Sequence, residues 1–328
     1  MSRLSEQTGL WLRRWMNWLS PTQEASTPGL THEHVKWAYR LFLDREAENE
    51  GVILGNMAAW QTTRELRMHF LTSEEFQKNN PTVNVLLDLD NGAPVPPPEL
   101  IHLVSGSTNA VWFLQGGCLA AQSIRDTLAR NTLSLENFAA VLDLGCGCGR
   151  VLRHMTDLKP GVLHGTDYNH ALIDWCQANL PNIQFTVNEL TPPLPYADGQ
   201  FDFIYAMSVF THLPEPLQGA WIKELARVTK TGGYLLFTAH GESYLFDLSL
   251  EEQARFRSNR LVVKYSDHAG TNLCGAYHPP DYVRGEFVKG TSYRVVDHIP
   301  QGAKGNPHQD IYLLCKDQGV FNSIRSMN

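Results

Sequence analysis

No apolar run in this chain reaches the ~18–20 uninterrupted residues that a transmembrane helix requires. The amino terminus also lacks the continuous apolar stretch of a secretory signal. Only six cysteines are spread over 328 residues and none forms a Cys-x-x-Cys pair, so neither a disulfide framework nor a zinc site is indicated. Positive charge is not in excess: the formal net charge is −7, which argues against a non-specific nucleic-acid surface. Charged residues are scarce at 19% against 43% apolar, enough to close a substantial core. A reducing, cytoplasmic setting is the expectation, and the length suits one large domain or two smaller ones.

What is present centres on Val141-Leu-Asp-Leu-Gly-Cys-Gly-Cys-Gly-Arg150. This reads as an apolar strand, a glycine-rich turn and the start of a helix through His154. Glycines at 145, 147 and 149 let the backbone turn sharply and lie close to a ligand, since no Cβ intervenes. A helix opening there would present free N–H groups to an anionic group. The dinucleotide fingerprint G-x-G-x-x-G needs glycine at 150, where this chain has Arg150. Cys146 and Cys148 read as small buried thiols before metal ligands.

With Asp143 two residues before Gly145, the pattern resembles the first motif of class I S-adenosylmethionine (SAM) dependent methyltransferases. The resemblance continues segment by segment to about residue 240. A second strand runs over 161–166 with Asp167 at its end, and a third over 182–188. Phe201-Asp-Phe-Ile-Tyr-Ala-Met-Ser-Val-Phe-Thr-His-Leu213 supplies a fourth strand and its exit loop. Lys230-Thr-Gly-Gly233 turns into a fifth strand over 234–238. Alternating strands and helices make a parallel sheet covered on both faces. Two final strands over 292–299 and 310–315 would form an antiparallel closing pair. The resemblance thus implies a doubly wound α/β fold with a seven-stranded sheet whose last strand is antiparallel, over residues 95–318.

The resemblance also implies roles. Asp143, Gly145, Cys146, Gly147 and Gly149 would form the cofactor loop. Asp167, about twenty residues on, would accept hydrogen bonds from both ribose hydroxyls, with Tyr168 beside it; a helix N-cap is the competing role for Asp167. Asn188 or Glu189 would meet the adenine amino group, and the sequence leaves the choice between them open. Met207 and Ser208 end the fourth strand next to the cofactor. His212 is a candidate general base, against a plain packing or capping role. His240 and His278 border an irregular insertion, 240–290, where this class commonly carries acceptor-binding elements, and are rival bases.

Upstream, residues 31–90 read as a small all-α domain. Tyr39-Arg-Leu-Phe-Leu-Asp-Arg45 and Leu71-Thr-Ser-Glu-Glu-Phe76 resemble a helical domain, distantly like phycobilisome linkers, that recurs in bacterial glycan-related proteins. The prolines of 94–98 suggest a linker. Helices are expected over 99–104 and 117–130, with Phe113-Leu-Gln-Gly-Gly117 as a joint between them. Residues 1–30 hold Trp11, Trp15 and Trp18 at helical spacing with Arg13 and Arg14 between, which suits docking on protein or a membrane interface through 10–19. The expected activity is methyl transfer from SAM to an oxygen or nitrogen nucleophile. The acceptor would be a glycan or surface-polysaccharide precursor, or a natural-product small molecule. A SAM-binding scaffold without catalysis is the reading from a different class.

Overall fold

The computed structural model describes residues 30–71, 73–79, 93–159, 161–305 and 309–317. The tryptophan-rich segment 10–19 and the chain between 80 and 92 lie outside the described residues. Two compact units divide between Asn84 and Val85.

The first unit contains α1 (His32–Leu43), α2 (Glu50–Ala59), α3 (Thr63–Leu71) and α4 (Glu74–Asn79). Thr31 caps α1 by accepting from the His34 amide, and Asp44 ends it in the left-handed region at φ 53°. Val35, Ala38, Tyr39 and Leu43 repeat at three and four, so one stripe of α1 closes on Ile53, Leu66, Phe70 and Phe76. Arg45 explains part of the sequence signature here. Its guanidinium forks onto the Glu75 carboxylate at 2.5 and 2.7 Å and lies over the Tyr39 ring, joining the end of α1 to the start of α4.

The second unit is built on a seven-stranded sheet. Its strands are β1 (Val141–Leu144), β2 (Leu163–Asp167), β3 (Gln184–Val187), β4 (Phe201–Ala206), β5 (Thr229–Ala239), β8 (Tyr293–Ile299) and β9 (Asp310–Lys316). The order is β3-β2-β1-β4-β5-β9-β8. β1 to β5 are parallel, while β9 runs antiparallel to β5 and β8 antiparallel to β9. This is the α/β methyltransferase fold that the motif succession implied. A separate two-stranded ribbon, β6 (Val262–Lys264) with β7 (Gly275–Tyr277), sits in the insertion.

Both faces of the sheet are apolar because both are covered. Val141, Phe203, Tyr205 and Leu236 point to one core, under α5 (Pro98–Ser105), α6 (Ala110–Arg130) and α7 (His170–Asn179). Leu142, Ile204, Leu235 and Phe237 point to the other, under α8 (Glu215–Val228) and the helical turns over 280–287. No helix among the described residues is long and apolar enough to cross a membrane.

Three local expectations are corrected. Residues 230–233 are not a turn before β5 but a bulged part of it: the pairing with β4 shifts between Phe201 and Phe203, and Gly232 takes φ 79°. Residues 113–117 are not a joint but lie inside α6. Gly116 and Gly117 are there because the helix backbone packs on the chain after the glycine loop; a Cβ on Gly117 would overlap the Arg150 carbonyl. The expected helix after Gly149 is absent, and only a 3-10 turn, Leu152–His154, follows. Arg153 points inward there, its Nη2 donating to the Ala93 and Pro94 carbonyls at 2.7 and 2.8 Å. The helical stretch after His278 is one α-helical turn, Pro280–Tyr282, running into a π-helical segment, Val283–Phe287.

Candidate functional site

At the carboxyl ends of β1, β2 and β4 lies a cavity of about 600 Å³. Open α/β sheets place ligands at this edge. The glycine loop is stitched to β2 before it reaches the cavity, since the Gly145 and Cys146 amides both donate to the Thr166 carbonyl at 2.8 and 3.0 Å. Gly145, Gly147 and Gly149 have φ of 72°, 56° and 70°, the left-handed region that disfavours side chains. Asp143, Gly145, Cys146 and Gly147 line the cavity, and Gly149 does not. A Cβ on Gly149 would meet Leu180, Cys176 and Phe185, so that glycine serves the packing of the loop on α7 and β3. Gly149→Ala is therefore expected to cost roughly 1–3 kcal/mol of stability, read by urea unfolding; an unchanged midpoint would show that the neighbours yield.

Without a following α-helix, the loop has no helix N-terminus to offer an anion. The polarity comes from side chains. Asp143 is buried, which raises its pKa, while the Tyr205 hydroxyl and the Arg150 guanidinium oppose that rise. Burial lifts the thiols as well, Cys148 to about 12, so they remain protonated. Cys146 and Cys176 both direct Sγ to the Gly147 carbonyl at 3.5 Å.

Asp167 anchors the loop. One carboxylate oxygen accepts from the Gly147 amide at 3.0 Å and the other from the Asn169 amide at 2.9 Å. The N-cap of α7 belongs to Asn169, whose side chain accepts from Ala171, so the competing cap role does not fall to Asp167. Two backbone bonds use about half of a carboxylate's acceptor capacity, leaving room for two hydroxyl donors. Burial raises its pKa and the backbone donors resist the rise. Tyr168 also lines the cavity, its hydroxyl donating to the Gly270 carbonyl at 2.9 Å.

Asn188 and Glu189 separate clearly. Asn188 is buried in the cavity wall and held there: the Thr166 hydroxyl lies 2.8 Å from its side-chain oxygen, and its amide nitrogen donates to the Glu189 carbonyl at 2.6 Å. Glu189 is exposed and outside the wall. The next turn is fixed by Trp221, whose indole donates to the Leu190 carbonyl at 3.0 Å.

At the far end of the cavity stand Met207, Ser208 and His212. Ser208 holds φ 62°, and its amide donates to the Thr238 hydroxyl at 2.7 Å. A non-glycine residue in that region is a strained position of the kind that clusters at ligand sites. His212 Nδ1 lies 2.8 Å from the Cys274 carbonyl. A carbonyl only accepts, so Nδ1 carries the proton and Nε2 keeps its lone pair. Burial lowers the His212 pKa, which favours that neutral form.

The rival histidines are not in the cavity wall. His278 is fully buried, its Nε2 3.0 Å from the Gln218 side-chain oxygen, while Gln218 ties the Phe210 and Leu213 carbonyls. His240 packs on the Tyr244 ring at 4.1 Å. Burial brings both to about 3, so they are neutral structural groups.

Several further residues complete the wall. Leu103, Val104, Ser105 and Gly106 at the end of α5 close one side, and Val104 rests where a Cβ on Gly147 would be, 2.7 Å away. Gly270 to Leu273 cross the opposite side, from the insertion where acceptor elements were expected. Gln309, just before β9, completes the far end. Leu103, Trp112 and Leu273 are 51%, 40% and 63% exposed, so the cavity opens through an apolar rim.

Residues 141–233 match the family model described as a methyltransferase domain. The chain is 35% identical over 106 residues to a sterol 24-C-methyltransferase of Schizosaccharomyces pombe, covering 31% of this chain and 28% of that one. It is 34% identical over 101 residues to a phthiotriol/phenolphthiotriol dimycocerosates methyltransferase of Mycobacterium ulcerans, covering 30% and 36%. The chain thus spans about a third of the length of these curated relatives. Among solved structures, a SAM-dependent methyltransferase of Methanosarcina mazei is 20% identical with a TM-score of 0.43, over 58% of this chain and 96% of that one. Gly145 and Gly147 line the cavity beside Asp167, whose carboxylate retains acceptor capacity, which fits an adenosyl cofactor. With the matched domain and the sheet order, the chain carries a SAM-dependent methyltransferase domain, and its cofactor is SAM.

Proposed function

We propose that this protein transfers the methyl group of SAM to an oxygen or nitrogen nucleophile on a small molecule with an apolar body. The observation that carries this is one cavity containing the glycine loop, Asp167 and the neutral His212, opening through Leu103, Trp112 and Leu273. SAM, when bound, supplies an electrophilic sulfonium methyl whose S–C bonding pair leaves with sulfur. Asp167 accepts from the ribose hydroxyls, and Gly145 and Gly147 let the backbone approach. Asn188, in the wall, meets the adenine. His212 Nε2 takes the acceptor's proton, and the enclosing walls exclude water and hold the acceptor at attack distance.

The relatives' names favour the apolar body. They include a sterol 24-C-methyltransferase, a phthiotriol/phenolphthiotriol dimycocerosates methyltransferase, a probable tocopherol O-methyltransferase and a ubiquinone biosynthesis O-methyltransferase. The glycan acceptor drew its support from the resemblance of the helical unit alone. The test is incubation with methyl-labelled SAM and, in parallel, organic-soluble and glycan fractions, followed by mass spectrometry. Label in the organic-soluble fraction is expected. Label confined to glycans would overturn the apolar reading, and SAM binding with no label anywhere would favour the non-catalytic scaffold.

A further inference from the structure

Between β6 and β7 the chain passes along the cavity, and Gly270, Thr271, Asn272 and Leu273 stand in its wall. His212 grips this loop twice. The Gly270 amide donates to the His212 carbonyl at 2.8 Å, and His212 Nδ1 donates to the Cys274 carbonyl at 2.8 Å. A further tie comes from the end of β2, where the Tyr168 hydroxyl donates to the Gly270 carbonyl at 2.9 Å. Inside the loop the Cys274 amide donates to the Thr271 carbonyl at 3.1 Å, so Gly270 and Cys274 flank one braced turn.

The loop sits close at Gly270. That residue holds φ 80°, in the left-handed region. A Cβ there would stand 2.7 Å from Leu190 Cδ1 and 3.5 Å from the Tyr168 ring. Tyr168 and Leu190 are themselves wall residues, as are Asp167 and Asn188 before them. The loop therefore joins the wall beside Asp167 to the wall at His212.

Which nitrogen of an imidazole carries the proton is set by the hydrogen bond that the other nitrogen makes or lacks. For His212 the deciding partner belongs to this loop. The imidazole is thus only as well placed as the Cys274 carbonyl. On one side that carbonyl is held by β7, which starts at the next residue. On the other it is held by the turn that Tyr168 ties down.

We propose that Tyr168 and Gly270 are positioning residues for His212. The Tyr168 hydroxyl seats the loop by its Gly270 carbonyl, and the seated loop presents the Cys274 carbonyl that keeps the proton on Nδ1. The Nε2 lone pair is then ready for the acceptor's proton. Gly270 is needed because a side chain there would push the loop off Leu190 and Tyr168. Losing one hydroxyl–carbonyl bond shifts a local equilibrium by roughly two- to tenfold, enough to unseat a loop without unfolding a domain. This role rests on the reading of His212 as the base.

The experiment uses the full chain, labelled with nitrogen-15, with and without S-adenosylhomocysteine (SAH). Calorimetry first reports SAH binding, and its failure would sink the methyltransferase reading itself. Histidine side-chain NMR spectra follow at about pH 8, where an ordinary imidazole is neutral. The His212 signals are assigned by their loss in His212→Gln. In the unmodified chain Nδ1 is expected to carry the proton and Nε2 to be bare. In Tyr168→Phe the ratio of that tautomer to the other should fall about two- to tenfold. In Gly270→Ala it should fall further. Tyr168→Phe keeps the ring, so its SAH affinity should stay within about threefold. Leu273→Ser changes the same stretch of wall but none of these bonds, and should leave the His212 signals in place. A proton on Nε2 in the unmodified chain, His212 signals unmoved in Tyr168→Phe, or equal shifts in Leu273→Ser would each overturn the proposal. The expected shifts together with undiminished transfer in His212→Gln would support the positioning and remove His212 as the base. Should Gly270→Ala not fold, Tyr168→Phe decides alone.

Discussion

Asp167→Ala is expected to weaken SAH binding by roughly 30- to 1,000-fold, about 2–4 kcal/mol, through loss of two charge-assisted hydrogen bonds to the ribose. A second consequence follows from the fold. The carboxylate also accepts from the Gly147 and Asn169 amides, so the variant loosens the loop and leaves buried donors unpaired. The two effects separate experimentally. Calorimetry on the folded variant reads the ligand term, while thermal unfolding without ligand reads the loop term. Acidification should mimic the mutation: burial raises the Asp167 pKa, so its charge is lost at a higher pH than for an exposed aspartate. A folded Asp167→Ala protein with unchanged SAH affinity would remove this carboxylate from the ribose and leave it as a loop anchor.

The succession of strands was legible because parallel strands buried on both faces are short apolar runs, and because turns between them carry glycine, aspartate and asparagine. β1, β4 and the closing pair fall within a few residues of their expected bounds. That no α-helix follows the glycine loop was not legible. Its absence comes from a long-range contact, the backbone of α6 at Gly116 and Gly117 lying against Arg150. Local sequence read those two glycines as a joint, since a glycine needed for close approach looks the same as one needed for a turn.

The candidate site divides in the same way. Asp143, Asp167, Met207 and His212 stand on the parallel strands and their exits and line one cavity because the fold fixes where strand ends meet, whereas the sequence left Asn188 and Glu189 open and the fold puts Asn188 in the wall. Gly149 shares the motif and yet faces the interior, since successive positive-φ glycines point in different directions. His240 and His278 were plausible bases by residue type alone; burial and packing, which composition does not reveal, set them apart from the cavity. Gln309 was invisible because glutamine before an antiparallel strand has no signature. Its position becomes meaningful only when β9 returns beside β5 and brings it to Ser208 and His240.

The largest expected effect on turnover is at His212. His212→Gln is expected to slow methyl transfer by roughly 10²- to 10⁴-fold, the usual worth of a positioned general base. SAH affinity should stay within about threefold, since glutamine can still donate to the Cys274 carbonyl as Nδ1 does. The pH profile gives the second readout. A base must be neutral to act, and burial lowers the His212 pKa below 6.5, so the acidic limb of the rate profile should lie below pH 6.5. That limb should disappear in His212→Gln. Acid unfolding must be kept apart from this limb, because His240 and His278 are neutral in the fold down to about pH 3 yet take up protons near pH 6.5 when the chain unfolds. Their contribution to stability is complete above pH 6.5 and falls as the pH drops below it. Rates are therefore compared only where circular dichroism shows the protein folded. If His212→Gln instead weakens SAH binding and keeps the acidic limb, His212 is a packing group at the cofactor, and transfer proceeds without it as a base.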